Sequence, residues 1–157
     1  MIIASDSLEM THALGRRLGV VLAPADVVAL IGPLGSGKTA LVRGMAEGAG
    51  VSDPREVNSP TFVIVNEYET APPRPPLRLY HIDTYRLRHG GDLDALGFDE
   101  MLAAGAVLIE WADRVEDLLP DDRLTVTLEA VDDHTRRLEC ASGGPRSEVL
   151  LRALEAR

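Results

Sequence analysis

Eight consecutive residues, Gly32-Pro-Leu-Gly-Ser-Gly-Lys-Thr39, constrain this 157-residue chain more than any other stretch. They match G-x-x-x-x-G-K-[ST], the phosphate-binding loop. Glycines let the backbone turn so that successive amides point into one hollow, here those of Leu34, Gly35, Ser36, Gly37, Lys38, Thr39 and Ala40. A helix starting near Lys38 adds its positive dipole end, the lysine supplies a point charge to β- and γ-phosphates, and the Thr39 hydroxyl is suited to Mg²⁺. The pattern arises by chance in roughly half a percent of chains this long. Its required context is also present: Asp26 to Ile31 is a short apolar run halted by Gly32-Pro33, which reads as a buried strand. Lys38 to Gly48 reads as a helix with Leu41, Val42 and Met45 on its apolar face.

Lys38 is the only lysine among 16 basic residues. A guanidinium is bulkier than an ammonium, which gives an arginine-rich chain a reason to keep its one lysine at this loop. The 25 acidic residues leave a net charge of −9, which opposes direct wrapping of a nucleic acid, so any nucleic-acid role is expected to be indirect. Cys140 stands alone, which excludes an intrachain disulfide and a multi-cysteine metal site and points to a reducing, cytoplasmic setting. No segment approaches the roughly 20 apolar residues that span a bilayer. Length and composition predict one domain over residues 1–157.

The rest of the chain alternates in type. Ser7 to Leu22 predicts an amphipathic helix capped by Ser5 or Asp6. Phe62 to Tyr68 and Leu77 to Tyr85 predict two strands of a hairpin, joined across the stiff Pro72 to Pro76 segment. Short helices are expected over Gly90 to Gly105, a buried strand over Ala106 to Ile109, and a helical turn or two over Asp113 to Leu119. A second hairpin is expected from Leu124 to Leu128 and Arg137 to Ala141, then a closing helix over Arg146 to Ala156. The sum is an α/β, P-loop NTPase-like mixed sheet, with a parallel core and antiparallel hairpins, flanked by helices.

A phosphate loop needs a second acid near its metal, usually at the end of a neighbouring buried strand. Val107-Leu-Ile-Glu110 offers Glu110, and Trp111, the only tryptophan, follows it as either a sensor of Glu110 or a packing residue. In His81-Ile-Asp-Thr-Tyr-Arg86, strand period places His81, Asp83 and Tyr85 on one face. Asp83 could hold a metal-bound or attacking water, although a solvated hairpin face would show the same spacing. Thr61, in Ser59-Pro-Thr-Phe62, is placed to sense a γ-phosphate as switch hydroxyls do.

Together, the phosphate loop, Ser59-Pro-Thr-Phe62, His81-Ile-Asp-Thr-Tyr-Arg86, Ile109-Glu-Trp-Ala112 and an N-terminal helix bearing Thr11 and Leu14-Gly15 resemble the TsaE family. These are small bacterial ATPases of tRNA threonylcarbamoyladenosine (t6A) biosynthesis. The resemblance covers Met1 to roughly Ser142, departing at Ala112, where the family often has Pro. It implies Mg-ATP as ligand, Thr39 and Glu110 at the metal, and Lys38, Asp83 and Glu110 as the residues of catalysis. By family position alone it implies Thr11 and Arg136 at the nucleotide, with Thr61, Tyr85, Arg86 and Trp111 coupling to partners. It further implies partners TsaB and TsaD, the latter transferring threonylcarbamoyl to adenosine 37 of tRNA, with tRNA met only through that complex and no membrane involved. Arg86 is the internal candidate for an arginine finger.

Three other classes share parts of this pattern. A small-molecule or nucleoside kinase would use the same loop and acid, but no arginine-rich lid is evident. A GTP-dependent switch would need Asn-Lys-x-Asp, and the only asparagines are Asn58 and Asn66. A non-hydrolysing subunit would dock a partner on nucleotide binding alone.

Overall fold

The computed structural model describes residues 1–58, 65–72, 75–87 and 91–155. One seven-stranded sheet runs through them: β1 (Ile2–Ser5), β2 (Val27–Ile31), β3 (Val65–Glu69), β4 (Arg78–Asp83), β5 (Gly105–Glu110), β6 (Leu124–Ala130) and β7 (Arg136–Ser142). Its spatial order is β1-β7-β6-β2-β5-β4-β3. The central pairs β6–β2, β2–β5 and β5–β4 are parallel, while β1–β7, β7–β6 and β4–β3 are antiparallel. This is the mixed sheet expected, with antiparallel hairpins at both edges. Between the strands come α1 (Leu8–Val21), α2 (Lys38–Ala49), α3 (Gly91–Ala95) and α4 (Phe98–Ala104), and α5 (Pro145–Glu155) closes the chain.

Strand alternation divides the core in two. Val28, Leu30, Ala106, Leu108 and Leu79 face α1, α2 and α5, while Val27, Ala29, Val107, Ile109, Tyr80 and Ile82 face the layer of α3 and α4. Both β2 and β5 are therefore apolar on both sides, which is why they read as continuous hydrophobic runs.

One expectation is corrected at the N-terminus, where β1 is too short to show a pattern in the sequence: the cap of α1 is Ser7, not Ser5 or Asp6. Ser7 is extended and its hydroxyl accepts the Met10 amide at 3.1 Å. Ser5 belongs to β1, fully buried, with its hydroxyl 2.8 Å from that of Thr11. Over Asp113 to Leu119 the chain makes two 3₁₀ turns, Ala112–Arg114 and Glu116–Leu118.

Helices α1 and α2 touch backbone to backbone. A Cβ on Gly15 would lie 2.3 Å from the Leu41 carbonyl oxygen, and one on Gly19 would lie 2.1 Å from that of Met45. Reciprocally, a Cβ on Gly44 or Gly48 would lie 2.1 Å from the carbonyl oxygen of His12 or Arg16. Two glycine pairs at i, i+4 thus bring α1 against the helix that leaves the phosphate loop. At the far end of the sheet, the buried Asp26 carboxylate receives both arms of Arg146 at 2.7 Å, tying α5 to the start of β2.

Candidate nucleotide site

The loop from Gly32 to Gly37 leaves the carboxyl end of β2 and turns through positive φ at Gly32, Gly35 and Gly37 (147°, 79° and 104°), which side chains rarely tolerate. Gly37 caps α2 with no side-chain hydrogen bond, so the first-turn amides keep their donors for an anion. Leu34 is 92% exposed at the loop tip. Ser36 and Lys38 are buried. The Lys38 ammonium donates to the carbonyls of Gly32 (2.6 Å) and Pro33 (2.9 Å), spanning its own loop. Burial pulls its pKa below the usual lysine range, and the charges of Glu110, Asp83 and Asp113 partly restore it.

Glu110 ends β5 directly beside β2, in register with Leu30, and it is buried. The Thr39 hydroxyl donates to Glu110 at 3.0 Å (Oε1) and 3.3 Å (Oε2), across 71 residues of sequence. On the other side, Asp83 ends β4 in register with Glu110 and accepts the Tyr85 amide at 2.9 Å. Lys38, Thr39, Glu110 and Asp83 therefore gather at the carboxyl ends of three parallel strands, where α/β sheets bind ligands.

His81 and Asp83 share the face of β4 that looks toward α2, but Tyr85 lies past the strand in the following turn. The solvated-face alternative is excluded at His81, which is fully buried with Nε2 2.9 Å from Glu110 Oε1. Trp111 packs against a charged group. It adopts a left-handed conformation (φ 58°) that places its ring 4.2 Å below the Lys38 ammonium. The Tyr85 ring meets that of Trp111 at a tilt of 50° with centroids 4.9 Å apart, and the Arg114 guanidinium lies 4.8 Å from the Tyr85 ring. The buried Thr84 hydroxyl holds this turn by donating to the carbonyls of Glu110 (2.9 Å) and Trp111 (2.6 Å). Nothing in the sequence flagged Thr84 or Arg114, because their partners are set by the fold.

Thr11 and Arg136, placed at the nucleotide by family position, both reach the loop. The Thr11 methyl lies 3.7 Å, and Arg136 Cγ 3.9 Å, from where a Cβ on Gly37 would sit. Ser36 Oγ and Arg136 Nε are buried without a hydrogen-bond partner among the described residues, as suits a loop built around a polyanion. Ala40 lies in the first turn of α2, and Arg86 is exposed beside Tyr85. Thr61 lies outside the described residues. Mg²⁺ is usually bound by one or two protein groups together with phosphates, and the adjoining Thr39 hydroxyl and Glu110 carboxylate fit that donor set.

A phosphate loop after a central parallel strand, a helix leaving it and an acid closing the adjacent strand define a P-loop α/β protein. The family described as "Threonylcarbamoyl adenosine biosynthesis protein TsaE" matches residues 5–138. Curated relatives named tRNA threonylcarbamoyladenosine biosynthesis protein TsaE agree. That of Bacillus subtilis is 38% identical over 93% of this chain and 88% of its own, and that of Streptomyces coelicolor 42% identical over 74% and 76%. The crystal structure of Bacillus subtilis YdiB superposes with a TM-score of 0.80 at 33% identity, covering 99% of this chain and 93% of that one. The chain belongs to the TsaE family, whose members serve t6A biosynthesis. Among the described residues no helix is long and apolar enough to cross a membrane.

Proposed function

We propose that this chain is a Mg-dependent ATPase that supports threonylcarbamoyl modification of tRNA adenosine 37 by acting on a TsaB–TsaD complex. The observation that carries the ATPase reading is the hydrogen bond from Thr39 to Glu110, which joins the end of the phosphate loop to a buried acid on the adjacent strand. The amides of Leu34 to Ala40 and the Lys38 ammonium orient the phosphates of ATP and offset charge developing on the γ-phosphoryl. Thr39 and Glu110 would hold Mg²⁺, which would supply charge neutralisation to the phosphates. Asp83, at the neighbouring strand end, accepts a hydrogen bond from the attacking water. Thr11 and Arg136 line the loop on the side away from Glu110 and bind the remainder of the nucleotide.

Turnover alone is expected to be slow, with a partner supplying or positioning an arginine; Arg86, exposed beside Tyr85, and Arg114, against the Tyr85 ring, are candidates within the chain. A cationic finger is worth on the order of 10³–10⁵ in rate. The net charge of −9 fits a protein that meets tRNA only through its partners.

The test is phosphate release from ATP by the purified chain, alone and with TsaB and TsaD, beside Glu110→Ala and Lys38→Ala. Stimulation by the partners that both substitutions abolish is expected. Phosphate appearing instead on a nucleoside or other small hydroxyl acceptor would replace this reading with a kinase, and full hydrolysis by Lys38→Ala would end it.

A further inference from the structure

His81 sits in mid-β4, wholly buried, in register with Leu108. Its Nε2 lies 2.9 Å from Glu110 Oε1, and a carboxylate only accepts, so Nε2 carries the proton and donates it. Nδ1 is buried without a partner, which makes Glu110 the only polar contact of the ring among the described residues. A buried nitrogen with no partner is unfavourable, and an apolar side chain of similar size would avoid it. Packing therefore does not explain an imidazole here, whereas the bond to Glu110 does.

The same carboxylate receives Thr39. Oε1 takes the imidazole and the shorter of the two hydroxyl contacts, leaving Oε2 with the freer lone pairs. A glutamate has three side-chain torsions, and a hydroxyl on the first turn of another element cannot fix them alone. A hydrogen bond from the middle of a buried, doubly paired strand can. Thr84, three residues on, holds the backbone carbonyl of Glu110, so β4 and the turn after it grip this acid at both its side chain and its main chain.

We infer that His81 is a positioning residue for the metal: it holds the Glu110 carboxylate in the orientation that Mg²⁺ requires beside Thr39. This rests on the reading of Thr39 and Glu110 as the metal end of the site. Metal affinity then depends on His81, and nucleotide affinity without metal does not, because the hydrogen bond of His81 goes to Glu110 and not to the phosphate loop.

The test uses Mn²⁺ as the probe, titrated by electron paramagnetic resonance against the whole protein with a non-hydrolysable ATP analogue. The variants are His81→Met, of similar bulk with no donor, His81→Gln, whose amide N–H can reach Glu110, and Glu110→Gln as reference. Groups behind a metal's direct ligands typically contribute about 10–100-fold in affinity, and His81→Met is expected to weaken Mn²⁺ by about 10-fold or more. His81→Gln should recover to within about threefold of the parent, and metal-free analogue binding should hold within about twofold in both. Mn²⁺ affinity unchanged in His81→Met while Glu110→Gln loses it would overturn the role of His81 and leave the metal reading standing. Mn²⁺ affinity unchanged in Glu110→Gln would remove the metal reading itself, and this inference with it. Equal losses in His81→Met and His81→Gln, or failure of either to fold by circular dichroism, would assign the contact to packing and overturn the inference.

Discussion

The Lys38 ammonium lies 4.2 Å from the centre of the Trp111 ring while donating to the Gly32 and Pro33 carbonyls. The lone lysine and the lone tryptophan of the chain are thus in contact. A cation over an indole face is worth about 0.5–2 kcal/mol, less than a phosphate offers the same ammonium, so nucleotide binding should draw Lys38 off the ring. Adding ATP is therefore expected to change Trp111 emission saturably, and Lys38→Met should lose most of that change. Emission that stays constant while nucleotide binding is demonstrated by another method would refute the movement.

In an exposed helix, replacing Gly by Ala stabilises by about 1 kcal/mol. At Gly15 the sign should reverse, because the new methyl would lie 2.3 Å from the Leu41 carbonyl oxygen and 2.9 Å from Gly44 Cα. Backbone atoms cannot turn aside as a side chain can, so α1 must move off α2. Overpacking of this kind costs about 1–3 kcal/mol. Gly15→Ala should lower the urea midpoint accordingly, and because α1 carries Thr11 against the phosphate loop, it should also weaken nucleotide binding. A midpoint at or above the parent's would show that the two backbones are not in contact.

Asp122 caps α5 from outside the helix, accepting the amides of Ser147 at 2.8 Å and Arg146 at 3.0 Å. Hydrogen bonds from Ser147 and from the Arg146 amide hold its carboxyl below the ordinary value of 3.8. The folded protein therefore favours the ionised form. The stability this contributes is complete above 3.8 and is lost as pH falls through the lower, folded value. Melting temperatures of the parent and Asp122→Ala should differ at neutral pH and converge in acid below 3.8. A gap that persists at the acid end would mean the cap acts through packing rather than charge.

What could be read from the sequence was what lies contiguously in it. The glycine-rich turn, the buried runs of β2 and β5 and the carboxylate that ends β5 are each local patterns, and the fold sets each at the position the sequence predicts. β1 escaped because four residues that pair only with β7 carry no periodicity of their own. A period of two carried past Asp83 puts Tyr85 on a strand face, whereas Thr84 turns the chain there by binding the Glu110 and Trp111 carbonyls.

By itself, the sequence determined the class of fold and the glycine-rich turn from β2 into α2, because glycine conformation and hydrophobic period act over a few residues. Tertiary structure alone decided which distant groups meet. Those meetings are His81 with Glu110 across 29 residues, Asp26 with Arg146 across 120, and the glycines of α1 against the backbone of α2. Hydrogen bonds and close packing at such separations depend on strand order and helix docking, which the whole buried core sets at once and no local pattern records.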